Sequence, residues 1–81
     1  MFAPPSRIDG TNIAAFRCDV EDMLARYGGL VIDCSEVVSI ALSGMRVLEA
    51  ASRDAHITLV NPRPFVRLMA AAFAIDVQIA T

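Results

Sequence analysis

Few side chains in this chain could carry chemistry: Ser43, the single His56, Cys18, Cys34 and the carboxylates Asp9, Asp33 and Asp76. A nucleophilic serine needs a histidine in hydrogen-bond reach and a carboxylate to orient that histidine. About three turns of expected helix separate Ser43 from His56. That helix runs back along the sheet and carries His56 to the opposite edge, so no triad is expected. A carboxylate pair could do acid–base work, but no spacing singles out two of the three aspartates. Asp33 reads as the anchor of a loop at a strand end. A small hydrolase or ligand-binding enzyme around Asp33 and Ser43 is the enzymatic alternative, and nothing in the pattern favours it. The two cysteines form no Cys-x-x-Cys pair, and His56 is remote from both. A zinc site takes about four ligands, so no metal is expected. The thiols are expected to be reduced and at least partly buried, because free cysteine packs as a small hydrophobe. Gly28-Gly29 follows a helix and precedes a strand, whereas a dinucleotide turn needs strand then helix. It reads as a helix stop, and no cofactor is expected.

Composition narrows the function further. The chain has 81 residues, 56% of them hydrophobic, with seven arginines, no lysine, nine acidic residues and a net charge of −2. That length suits one domain over residues 1–81 with a real core. The charges are interspersed and form no basic run. Nucleic acid needs clustered positive charge, as does an anionic membrane surface, so neither is an expected partner. No apolar stretch is long enough to span a bilayer, and no secretory signal is evident. Direct membrane insertion is therefore not expected, and the cytoplasm is the expected compartment.

The elements that must position these residues follow from periodicity. Residues 1–7 are expected to be disordered or a short edge strand, since Pro4-Pro5 bars a central strand. Thr11 or Asn12 can cap a first helix. Ile13, Phe16, Val20, Met23, Leu24 and Tyr27 recur at helical spacing, and Gly28 ends that helix. Leu30–Cys34 is an apolar, β-branched strand of the kind covered on both faces. Val37–Ile40 carries a short extended segment. A second helix opens at Ser43-Gly44, with Ser43 as its cap. His56–Val60 is the next strand. Asn61 caps a third helix with Pro62 at its first position, and its apolar face is Phe65, Leu68, Met69, Ala72 and Phe73. Asp76–Ile79 alternates as a last strand. Strands alternating with helices imply α/β architecture, with a mainly parallel or mixed sheet of about four strands.

Three stretches resemble the STAS family of sulfate transporters and anti-sigma factor antagonists. Leu30–Val37 is similar to the family's central strand and turn. Ser39-Ile40-Ala41-Leu42-Ser43-Gly44-Met45-Arg46-Val47-Leu48 is similar to its strand-to-helix turn. Ile57-Thr58-Leu59-Val60-Asn61-Pro62, with Val66 and Leu68, is similar to its late strand and last long helix. The resemblance spans about residues 8–79. It implies helices packed on one face of the sheet and a protein-binding role without catalysis. Two departures stand out. Room for the family's early strands is short, so a partner or a second copy could supply a missing edge. In the turn, Ala41 and Leu42 replace the usual Asp and Ser/Thr.

The resemblance places the phospho-acceptor of anti-sigma factor antagonists at Ser43, with Ala41, Leu42, Ser43, Gly44, Met45 and Arg46 as the partner-binding turn. The expected partner is an anti-sigma factor of the serine protein kinase type. Alternatively, the chain is an unphosphorylated accessory subunit of a membrane transporter or lipid-transport complex, or a scaffold component. A homodimer is also compatible with the chain. Two roles stay open for Ser43, a helix cap worth about 1 kcal/mol or a phosphorylation switch. Two also stay open for Leu42, an exposed patch with Met45 at its rim or a core residue.

Overall fold

A computed structural model describes residues 1–80. Its elements in chain order are β1 (Arg7–Ile8), α1 (Ile13–Tyr27), β2 (Gly29–Asp33), β3 (Ser39–Ile40), α2 (Leu42–Asp54), β4 (His56–Val60), α3 (Pro64–Ala72) and β5 (Val77–Ala80). Every strand pair is parallel. β4 lies between β2 and β5, with Leu30 opposite Ile57 and Ile57 opposite Val77. β1 pairs with β3, Ile8 opposite Ile40. Parallel neighbours need crossovers, and the helices supply them.

The sheet is one-sided. Leu30 and Ile32 of β2 and Ile57 and Leu59 of β4 are buried in one cluster with Phe16 and Val20 of α1, Met45 and Leu48 of α2, and Val66 and Ala70 of α3. Strand side chains alternate between faces, so the residues between them point the other way. Val31 there is 45% exposed. The α/β fold with helices on one face is the one expected. The double cover expected for β2 is not found, because its apolar centre includes this outward-facing valine.

The N-terminal residues join the two sheets. Phe2 forms a parallel bridge with Ile32. Its N–H donates to the Val31 carbonyl at 3.0 Å, and its carbonyl accepts from the Asp33 N–H at 2.8 Å. The Phe2 ring stacks on Phe16 of α1, with centroids 6.2 Å apart. Beyond Pro4-Pro5 the chain pairs with β3 instead. The segment thus has β2 beside its start and β3 beside its end, and it is not an edge. This is how five strands form where about four were expected.

α1 runs over the expected span. Gly28 closes it at φ 70°, its N–H bonded to the Leu24 carbonyl at 2.9 Å. Glycine reaches that left-handed conformation without a Cβ penalty. Asn12 stands at the cap position, but its side chain accepts from the Asp9 N–H and donates to the Arg7 carbonyl.

α3 departs from expectation in two ways. It starts at Pro64 with Arg63 as its cap, not at Pro62 with Asn61. A residue before proline is held extended, and Arg63 at φ −67°, ψ 156° is so held. The helix therefore cannot begin until Pro64. Its rotation also differs. Val66 and Ala70 face the core, Phe65, Met69 and Phe73 are half-buried, and Leu68 is 71% exposed. Arg67 is exposed, and both the Leu68–Ala72 and the Val66–Ala70 sides of the helix avoid it; the structure turns the smaller Val66 and Ala70 to the core.

α2 is seated on β1 and β3 through Gly44. A Cβ built there would lie 2.8 Å from Ile40 Cγ1 and 2.9 Å from Ile8 Cγ2. Overpacking of this kind costs about 1–3 kcal/mol, against a helix-propensity gain of about 1 kcal/mol over glycine. Gly44→Ala is expected to be net destabilising, seen as a lower urea midpoint with an unchanged slope.

Candidate functional site

The chain leaves β3 and enters α2 at Ala41. The Ala41 N–H donates to the Ile8 carbonyl at 2.7 Å, and its own carbonyl accepts from the Gly44 and Met45 N–H groups at 3.0 and 3.2 Å. These bonds make Ala41 the N-cap, in extended geometry at φ −75°, ψ 164°. Ser43 is therefore the second helical residue and not the cap. No side chain caps this helix, and its first turn holds no acidic residue. The terminus keeps orphan N–H groups and the positive end of the helix dipole.

The six residues of the turn divide by direction. Leu42 is 49% exposed, Arg46 is exposed, and Ala41 and Ser43 are half-buried. Leu42 thus belongs to the surface and not to the core. Gly44 and Met45 face inward, and Met45 is 0% exposed. The rim position expected for Met45 is not found. Its large apolar side chain fills the space between helix and sheet, so it offers nothing to a partner. Val38, just before β3, is also exposed, beside buried Val37.

The other reactive candidates are dispersed. Strands run parallel, so His56 at the start of β4 lies at the opposite end of the sheet from the start of α2. His56 is exposed, and its Nε2 lies 2.7 Å from Gln78 Oε1. Asp33 ends β2 and accepts from the Ser35 N–H at 3.0 Å. The Ser35 side chain, together with that backbone bond, holds its carboxyl below the usual value of 3.8. Asp33 is thus a loop anchor. Asp9 is bound to Thr11 in the same manner, which lowers its pKa too. Asp76 is exposed. Among the described residues no three His, Cys, Asp or Glu side chains gather as metal ligands. Cys34 is buried, but Cys18 is exposed on α1, contrary to the expectation for both thiols. Its place on the outer side of α1 explains this. Burial, helped by the Asp33 charge, pushes the Cys34 thiol up to about 11.

With this geometry established, the model of the STAS_2 family, described as Mlab, STAS domain, matches residues 6–80. The chain belongs to the STAS family. This STAS domain is also similar in fold to the anti-sigma factor antagonist SpoIIAA, solved in its unphosphorylated form. The TM-score is 0.70 at 14% identity, over 100% of this chain and 74% of that one. None of the curated proteins compared with the chain matches it. Among the described residues, no helix of the domain is long and apolar enough to cross a membrane.

Two measurements check this placement. Met45→Ala is expected to lower the unfolding free energy by about 2–5 kcal/mol, while Leu42→Ala changes it by about 0.5 kcal/mol. Parallel urea melts separate the two. A disulfide reagent at neutral pH is expected to titrate one thiol per folded chain, Cys18. Cys34 should react only after denaturation, since the thiolate is the nucleophile.

Proposed function

We propose that this STAS domain is a protein-binding regulator, an anti-sigma factor antagonist switched by phosphorylation of Ser43. The observation that carries this reading is the position of Ser43, half-buried on the first turn of a helix without a side-chain cap. A phosphate there would meet orphan N–H groups and the helix dipole, both of which favour an anion. Arg46, three residues on, lies on the same side of the helix. The fold would tolerate the modification, yet a charge of about −2 would appear on the surface. A partner covering Leu42 and Ser43 would have to desolvate that charge, so binding would weaken. In this reading Ala41, Leu42, Ser43 and Arg46 meet the partner, while Gly44 and Met45 set the helix that presents them. The partner is an anti-sigma factor with serine kinase activity, and ATP belongs to it. The domain, taken as one unit over residues 1–81, works in the cytoplasm and catalyses nothing.

A second reading rests on Ala41 and Leu42. An alanine in place of the family's acid, beside a leucine 49% exposed, suits a constant apolar contact with no switch. The domain would then be an accessory subunit of a transporter or lipid-transport complex, or a scaffold component.

Incubation with the cognate kinase and ATP, followed by mass spectrometry, separates the two. The switch predicts a phosphate on Ser43, lost in Ser43→Ala. It also predicts at least tenfold weaker partner binding by Ser43→Asp, about 1.4 kcal/mol. An active kinase that leaves Ser43 unlabelled, with Leu42→Asp alone disrupting the complex, would favour the second reading.

A further inference from the structure

We infer that β5 is a self-pairing edge, along which two copies of this chain join antiparallel about a two-fold axis at Gln78. The order β2-β4-β5 leaves one side of β5 without a strand among the described residues. The direction of its backbone groups follows from one bond. The Ala80 carbonyl accepts from the Asn61 N–H at 2.7 Å, so Ala80 faces β4. Successive residues of a strand alternate, so Gln78 also faces β4, while Val77 and Ile79 carry their N–H and C=O groups outward. These are the groups a neighbouring strand requires.

The second copy fits them in one register. With Gln78 opposite Gln78 of the other chain, Val77 stands opposite Ile79 and Ile79 opposite Val77. Each of these two pairs exchanges two N–H···O=C bonds, four in all. The Gln78 pair is then the non-hydrogen-bonded kind, in which side chains stand closest, with Cα atoms about 4.5 Å apart. Its amides can pair with each other, since an amide oxygen accepts two bonds and His56 uses only one.

The side chains match as well. Val77 and Ile79 line a groove of about 270 Å³ against Arg67, Ala70 and Ala71 of α3 and Ile75. Ile79 is 39% exposed there. The two-fold axis stands perpendicular to the sheet, so both copies keep their helices on one side. Each Ile79 then covers the other copy's groove. Val77, Gln78, Ile79 and Ala80 are uncharged, so no like charges are set opposite each other. Edge strands are normally guarded by shortness, proline or charge. β3 at the far edge has only two residues. β5 has four, with no proline and no charge among them. The start of α2 lies toward the far edge, beside β1 and β3, so the pairing leaves Ser43 uncovered in both copies.

Sedimentation equilibrium of the 81-residue chain over a concentration series tests this. The weight-average mass is expected to rise from that of one chain to that of two. Ile79→Pro removes only an outward N–H, a change an edge strand accepts, and leaves the bonds to β4. Ile79→Lys instead sets a second positive charge beside Arg67 in the groove. Both variants are expected to remain single chains with unchanged circular dichroism. In the parent chain, the Val77 and Ile79 amides should exchange slowly with deuterium when concentrated and lose that protection on dilution. A chain that stays single at every concentration, or folded variants that still double in mass, would overturn the inference. So would a dimer whose Val77 and Ile79 amides exchange freely.

Discussion

α2 lies tight against the β1–β3 pair, and that seating depends on the missing side chain at Gly44. With no Cβ, the helix backbone lies against Ile8 and Ile40. That seating aims Met45 and Leu48 into the core, and it fixes which way Leu42, Ser43 and Arg46 turn. The surface on which function is proposed is thus the reverse side of a packing constraint. The short loop from Ile40 through Ala41 has no freedom of its own, because Ala41 is bound to Ile8 on one side and to the first helical amides on the other.

A sheet covered on one face is economical for so short a chain, but it leaves apolar atoms in water. Val31 is an example. Parallel topology sets His56, at a strand start, at the opposite end of the sheet from Asp33, which ends a strand, and Ser43, which follows one.

Much of this was legible in the residues, for reasons that can be named. β2 and β4 are runs of β-branched and apolar residues, and Gly28 is a left-handed stop, so local chemistry and tertiary need agree there. The cap of α2 was misread because serine is favoured at caps by its side chain, whereas here backbone bonds to Ile8 put Ala41 in that place. α3 offered two prolines, and only the extended state forced on Arg63 decides between them. Its face was misread because Leu68 with Ala72 and Val66 with Ala70 are both apolar pairs, and Phe65 and Met69 suit either face. The bridge at Phe2 had no local sign at all. Pro4-Pro5 pointed toward an edge, and only a pairing thirty positions along the chain reveals the opposite.

The wholly parallel pairing has a kinetic consequence. Among the described residues no hairpin exists that could form early from neighbouring residues. Phe2 must find Ile32, and Arg7 must find Ser39, each across an intervening helix. Chain entropy is therefore spent before any ladder bond returns it, and mixed topologies of this kind fold more slowly than helical bundles of equal size. During synthesis the first eight residues must wait, unpaired, until β2 and β3 have emerged.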